Sequence, residues 1–340
     1  MSRTNLKGLD LLELQALVER LGESRFRAQQ IFRWLYGRGV SSFDEMTDLS
    51  KKLRARLNET ARIASLTCLT QRKSQKDQST KFLFELEDGR KIESVLMCED
   101  GRQTLCVSTQ VGCAIDCKFC ATGMMGWQRN LAAGEIIDQL LTAQALSGAA
   151  VSNVVFMGMG EPFHNYENVI KACHLMSHEL GPNLAKKHIV ISTSGLVPKI
   201  IRFADEGQKF RLAISLNATT DAVRSRLMPL NKKWPIKELL RAVKYYTEKC
   251  EQMATFEYVL LEGVNDSVED AERLKKLAQG IFCKINLIPY NSTEGEFRRP
   301  PQARILRFYE RLASLRAPVT IRWSKGDDIE AGCGQLAIKS

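Results

Sequence analysis

Cysteine is too sparse, and the chain too long, for a disulfide scaffold. There are 10 Cys in 340 residues, against the roughly 8–10% that a short cross-linked chain carries. No window approaches the ~18 uninterrupted apolar residues of a membrane span. The most apolar stretch, around 145–159, is broken by Ser147, Ser152 and Asn153. The start, Met1-Ser-Arg-Thr-Asn-Leu-Lys7, leads into an amphipathic pattern and not into the apolar run of a secretory signal. No short-period repeat runs through the chain. Together these absences predict a cytoplasmic protein with no membrane segment, whose thiols stay reduced. Clustered cysteines there point to metal binding or catalysis more often than to bridges.

What is present is an ordinary globular composition, with 44% hydrophobic and 26% charged residues, long enough for about two domains. Lys and Arg number 49 against 39 Asp and Glu, so the formal charge is +10, a surplus that suits a polyanion such as RNA. Leu11, Leu14, Leu17, Val18 and Leu21 fall at helical spacing, Ile31, Phe32, Leu35 and Tyr36 form a second such run, and Ser50 is placed to cap a third. Residues 1–78 therefore read as a small basic helical domain. At 79–100, two β-rich runs flank Asp88-Gly89, a hairpin signal that sets Glu93 in the returning strand. From 101 to 325, strand patterns at Thr104–Thr109, Asn153–Gly158, His188–Ser192, Leu212–Leu216, Thr255–Leu261, Lys284–Ile288 and Val319–Trp323 alternate with helical ones. That alternation predicts an α/β fold with a parallel sheet and right-handed crossovers, with functional residues at the C-terminal strand ends.

Cys113, Cys117 and Cys120 form C-x3-C-x2-C directly after the first of these strands. Three thiolates this close suit one compact inorganic cluster, and an iron–sulfur cluster with only three Cys keeps one iron free for a small molecule. A zinc site would want a fourth matching ligand, and none is near. A redox pair Cys117-x-x-Cys120 would leave Cys113 unexplained. Gly158-Met-Gly160-Glu161-Pro162, Ser192-Thr-Ser-Gly195, Ser215-Leu216-Asn217 and Ile288-Pro-Tyr-Asn291 supply short polar groups at successive strand ends, as one ligand site would need. Each alone is equally a cap or a turn. Residues 326–340 carry Cys333 between Gly332 and Gly334, a setting that presents a thiol on a loop. Cys106 precedes Cys113 by seven positions and is either a core residue or a second thiol at the barrel mouth.

The cysteine spacing, with Phe119 before the last Cys, resembles the radical S-adenosylmethionine (SAM) superfamily. Cys106-Val-Ser-Thr-Gln-Val-Gly-Cys113, Phe156-Met-Gly-Met-Gly-Glu-Pro162, Asn286-Leu-Ile-Pro-Tyr-Asn291 and Gly326-Asp-Asp-Ile329 narrow the resemblance, over nearly the whole chain, to the RlmN/Cfr family of radical SAM RNA methyltransferases. The resemblance implies a partial (β/α)6 barrel holding one 4Fe-4S cluster on Cys113, Cys117 and Cys120. It implies SAM held by Gly160, Glu161, Ser192, Ser215, Leu216, Asn217 and Asn291, and two SAM consumed per turnover. Members methylate adenine in RNA: RlmN-type enzymes at C2 of 23S rRNA adenosine 2503 and tRNA adenosine 37, Cfr-type enzymes at C8 of the same ribosomal nucleotide. The C2 reaction is expected here. By the same resemblance Cys333 is the methyl-carrying cysteine, Glu93 the proton acceptor, and Cys106 the thiol that resolves the protein–RNA adduct through a transient disulfide with Cys333. A ferredoxin or flavodoxin would supply electrons to a monomer. Relatives commonly carry Ser-Leu-His where this chain has Ser215-Leu216-Asn217. Arg298-Arg299 and Lys51-Lys52 become candidate phosphate contacts. A non-catalytic iron–sulfur RNA-binding protein is the alternative of a different class, and would need neither Cys333 nor Glu93.

Overall fold

The computed structural model describes residues 3–293 and 295–338; residues 1–2 and 339–340 of the terminal segments lie outside it. One ten-stranded sheet organises the molecule, and its spatial order is its chain order. The strands are β1 (Thr67–Lys73), β2 (Thr80–Glu85), β3 (Lys91–Glu99), β4 (Arg102–Cys106), β5 (Asn153–Phe156), β6 (Ile189–Thr193), β7 (Arg211–Ser215), β8 (Ala254–Leu260), β9 (Cys283–Pro289) and β10 (Val319–Ile321). β1 to β4 pair antiparallel, and every pairing from β4 to β10 is parallel.

The six crossovers between β4 and β10 carry helices at Ala133–Ser147, Tyr166–Ser177, Val197–Asp205, Asp221–Leu227 with Ile236–Cys250, Val268–Ala278, and Gln302–Arg311. This is the partial-barrel arrangement expected for a radical SAM domain; apolar strand residues such as Ile191, Ile214, Phe256 and Ile285 are buried on the face opposite the polar rung Ser215–Glu257–Asn286, where the sheet meets its helices.

Two stretches differ from the sequence reading. β1 falls inside the segment read as helical, 1–78, so the antiparallel extension has three strands feeding β4 and begins at 67. β1 is exposed along almost its whole length, so it carries no alternating pattern to betray it. The helix Val197–Asp205 was also not anticipated; it opens on Val197-Pro198, and proline is tolerated in a first turn because that N–H has no helical partner.

The N-terminal helices are Leu11–Arg20, Phe26–Phe32 and Lys51–Thr60, and the segments flanking them, at Lys7-Gly8 and Leu66, meet the barrel helix Ala133–Ser147. Ser50 Oγ accepts from Leu53 N at 3.1 Å and caps the third, as its position predicted. At the docking seam the backbones nearly touch: a Cβ on Gly134 would lie 2.3 Å from Lys7 O. Lys7 Nζ then reaches Asp138 at 2.5 Å inside the seam.

Candidate active site

The strand ends and the C-terminal loop enclose a cavity of about 200 Å³. Cys113, Cys117 and Cys120 line it, together with Cys106, Cys333, Gly160, Glu161, Ser192, Ser215 and Asn217. The topology explains the convergence. Cys106 ends β4, the three motif cysteines follow in the loop 107–132, and the polar residues lie at or just beyond the ends of β5, β6 and β7.

A strap formed by residues 326–338 closes the cavity. Gly326 N donates to Asp77 at 2.6 Å, and Asp328 accepts from Ser74 Oγ at 2.7 Å and Gln75 N at 3.0 Å. Lys81 Nζ donates to Glu330 O at 3.2 Å. Ala121 N donates to Gly334 O at 2.8 Å, and Thr122 Oγ1 to Leu336 O at 2.5 Å. The strap thus joins the antiparallel extension to the loop of the motif cysteines and holds Cys333 between them.

All ten cysteines are free thiols, Cys106 and Cys333 included. Cys333 is exposed by area because it faces the cavity, yet burial pushes its thiol up to about 12, with Arg322 opposing. Cys106 is pushed up to about 11 by burial, again with Arg322 opposing.

The donor set fits an iron–sulfur cluster. Burial pushes Cys113 up to about 12 and Cys117 well above the ordinary thiol range, and the neighbouring thiols add to both shifts. Three soft sulfurs in a low-dielectric wall need a cationic metal core to exist as thiolates. Among the described residues no group of three or more His, Cys, Asp or Glu converges as a single-ion site. A zinc ion would draw its thiolates to within about 4 Å of one another, given Zn–S bonds near 2.3 Å; a cluster of several irons spreads its ligands further apart.

Glu161 is buried and already committed. It accepts from Ser194 N at 2.7 Å and Ser194 Oγ at 2.6 Å through one oxygen, and from Phe163 N at 3.0 Å through the other. Burial still raises its carboxyl above the ordinary range. Gly160, at φ +102°, admits no side chain because a Cβ would meet Gln110 at 2.6 Å, so the close approach there is to the protein's own loop.

Two residues expected at the ligand are placed behind it. Leu216 is fully buried and does not line the cavity. Asn291 does not line it either; its Nδ2 donates to Cys333 O at 3.0 Å, and its Oδ1 accepts from Ser324 Oγ and, at 3.1 Å, from Arg299. Asn291 therefore holds the cysteine loop. Arg299 is committed to it and to Tyr290 O at 2.8 Å, so it is not a free phosphate contact, whereas Lys51 and Lys52 are exposed. Asn217 adopts a left-handed φ of +56°, a conformation asparagine tolerates. Its Oδ1 accepts from Val259 N at 2.9 Å, which ties the loop after β7 to β8.

Glu93 is not the outward-facing carboxylate that a lone strand glutamate would suggest. It is buried, paired with Lys81 at 3.1 Å, and accepts from Ala337 N on the strap at 3.0 Å. Burial raises its carboxyl, with Lys81 and the Ala337 N–H pulling it part way back. It lies under the strap and outside the cavity lining.

Residues 4–63 match the ribosomal RNA large subunit methyltransferase N-terminal domain, and residues 107–277 match the radical SAM superfamily. A protein of Thermotoga neapolitana named probable dual-specificity RNA methyltransferase RlmN is 47% identical over 98% of both chains. The dual-specificity RNA methyltransferase RlmN of Anaeromyxobacter dehalogenans is 46% identical over 98% of this chain and 92% of its own. The chain belongs to the RlmN family of radical SAM RNA methyltransferases. A crystal structure of a radical SAM methyltransferase from Sphaerobacter thermophilus superposes with a TM-score of 0.93 at 45% identity, over 98% of this chain and 99% of that one. Membership implies an iron–sulfur cluster and SAM, and an RNA methyltransferase activity acting on adenine. Among the described residues no helix is long and apolar enough to cross a membrane.

Several residues of the site were not singled out by sequence. Arg224, fully buried, donates to the carbonyls of Leu216 (3.0 Å), Ser194 (2.7 Å) and Ser215 (3.1 Å), pinning the ends of β6 and β7. Glu257, on β8, lines the cavity within a polar rung that crosses the sheet in register from Ser215 through Glu257 and Asn286 to Thr320. Arg322 lines it too, and no carboxylate lies within ion-pair distance of it among the described residues. A charged residue inside an apolar strand, as in Ala254–Leu260, was the available signal for Glu257. Nothing local marks Arg224.

Proposed function

We propose that this chain methylates C2 of adenine in RNA, at 23S rRNA adenosine 2503 and tRNA adenosine 37, through a methyl group carried on Cys333. The observation that carries this reading is the presence of Cys333, Cys106 and all three motif thiols on the wall of one cavity. Relatives named for dual RNA specificity support the two substrates. Cys113, Cys117 and Cys120 would hold a 4Fe-4S cluster, which together with SAM supplies one-electron radical chemistry.

The chain's own residues do the rest. Gly160, Glu161, Ser192, Ser215 and Asn217 shape the SAM pocket, with Leu216 and Asn291 supporting it from behind. Cys333 Sγ gives up its proton and takes a methyl from one SAM. That methyl loses a hydrogen atom during use of a second SAM, and its carbon then bonds to the electrophilic ring carbon. Glu93 takes the ring proton; release of the strap at Ala337 frees one of its oxygens, and its raised carboxyl suits the role. As the ring proton leaves, one electron passes from the adduct to the electron carrier. The Cys106 thiolate then attacks Cys333 Sγ, and the electron pair of the carbon–sulfur bond goes to the methylene carbon, which takes a proton to become the methyl group. The product leaves with the two cysteines joined as a disulfide that an external thiol reduces. A ferredoxin or flavodoxin supplies electrons, and the enzyme works as a monomer in the cytoplasm.

The test is anaerobic. Reconstituted protein receives SAM, a reductant and an rRNA or tRNA fragment, and the digested nucleosides are identified by mass spectrometry. 2-Methyladenosine is expected with wild type and not with Cys333→Ala, and Cys106→Ala should accumulate a covalent protein–RNA adduct. 8-Methyladenosine would move the target carbon. Cleavage of SAM with neither product would overturn the RNA adenine reading.

A further inference from the structure

The chain has 4 Trp, and three of them have partners within the protein. Trp34 Nε1 donates to Asp48 at 2.6 Å, and the Arg38 guanidinium lies 4.0 Å over its ring. Trp127 Nε1 reaches Asn130 at 3.4 Å, and its ring packs edge-on against His164. The Lys233 ammonium lies 4.8 Å over Trp234. Trp323 has no hydrogen bond at Nε1 and no ring or cation over its faces among the described residues, and it is 44% exposed.

This unpartnered indole lines the catalytic cavity together with Cys106 and Cys333. Its backbone is anchored. Arg322 N donates to Leu287 O at 2.8 Å, and Ser324 Oγ donates to Asn291, whose amide in turn donates to Cys333 O at 3.0 Å. One asparagine side chain thus joins the Trp323 segment to the cysteine loop. Arg322 and Lys325, which also line the cavity, set a cation on either side of the indole in sequence. Lys325 is paired with Glu99 at 3.2 Å, whereas Arg322 has no carboxylate within ion-pair distance among the described residues. A flat apolar face left open to water on the cavity wall, next in sequence to that guanidinium, matches a flat aromatic ligand carried on a polyanion.

We propose that Trp323 is the stacking platform for the target adenine once that base has been extruded from the RNA into the cavity. The proposal rests on the RNA adenine reading above. A base must leave its stack to reach a buried reactive atom, and extruded bases are gripped between aromatic or apolar side chains. Stacking of a base on an aromatic side chain changes affinity by about 5- to 150-fold.

The experiment compares two RNAs and three proteins by equilibrium binding. The RNAs are a 23S rRNA fragment carrying the target adenosine and the same fragment made abasic at that position. The proteins are wild type, Trp323→Ala and Trp323→Phe, each cluster-reconstituted and SAM-bound, without reductant. Trp323→Ala should bind the intact RNA at least 5-fold more weakly than wild type and the abasic RNA equally well, and Trp323→Phe should recover most of the loss. Equal losses on both RNAs, or no loss on either, would overturn the proposal. Methylation of the intact RNA by wild type after addition of reductant is scored in parallel. Its absence would count against the RNA adenine reading, and its presence beside unchanged Trp323→Ala binding would count against Trp323 alone.

Discussion

Asp138, on the seam between the N-terminal helices and the barrel, uses both of its oxygens: one takes Lys7 Nζ at 2.5 Å and the other Leu66 N at 2.6 Å. Glu257, equally buried in the cavity wall, uses one, accepting from Asn286 at 3.0 Å, while its second oxygen has no hydrogen-bond partner. The two carboxylates face the same desolvation penalty and meet it differently. At the seam both surfaces belong to this chain, so the partners were available to complete the network. In the cavity wall one side of Glu257 faces open space, and the chain offers its second oxygen no partner. Buried polar groups without partners are costly, and sites of function are where such costs are retained.

The largest effect should come from breaking the seam. Asp138→Ala leaves Lys7 buried without its counter-charge, and we expect a loss of about 3–5 kcal/mol in urea unfolding. A loss below about 1 kcal/mol would show that water reaches Lys7, and the contrast with Glu257 would collapse. Gly134→Ala should cost about 2 kcal/mol despite the helix propensity it gains, because its Cβ would sit 2.3 Å from Lys7 O and the domain must back away. A neutral or stabilising result in the same assay would mean the seam is compliant.

On the cavity side the sign reverses. Burial holds the folded Glu257 carboxyl above its ordinary value of 4.5, with Arg322 and the Asn286 hydrogen bond opposing, so ionising it in the folded chain costs stability. That cost is absent below 4.5 and grows as pH rises through the folded value. Glu257→Gln keeps an acceptor for Asn286 and removes the cost. In the cofactor-free protein it should therefore gain about 1 kcal/mol at neutral pH and nothing in acid, a difference visible as Tm against pH. A Tm lowered equally at every pH would sink this account. The smallest effect concerns the strap. Asp328→Asn weakens the clamp on Ser74 and Gln75, so amide exchange at 326–331 should quicken several-fold while the ladder of β8 and β9 is unchanged. Uniform quickening across the sheet would mean the strap is part of the core.

The sequence disclosed the repeating architecture more readily than the chemistry of the walls. Every strand from β4 to β10 was legible because its apolar run alternates with segments of helical periodicity. β1 was missed because an exposed edge strand has no buried face to alternate with. The three motif thiols were legible because they lie close in sequence. Arg224, Glu257 and Arg322 were not, since what makes the first two notable is burial and what makes Arg322 notable is its place on the cavity wall, and both are set by the fold. Asn291 was placed correctly at a strand end, yet its role as the holder of Cys333 depends on a carbonyl 42 residues downstream.

A sheet whose spatial order follows its chain order can be assembled one neighbour at a time, so none of its ladders requires a distant partner. The strap is the exception: Asp328 meets Ser74 across 254 residues. Closing so long a loop costs little more than closing one half its length, because the entropic charge grows only with the logarithm. The reverse also holds. Letting go forfeits hydrogen bonds at the rim and the burial of Ala331 and Leu336, but no ladder of the sheet. A shift of the strap would therefore free the Glu93 oxygen held by Ala337 N and carry Cys333 with it, while leaving every strand where it was.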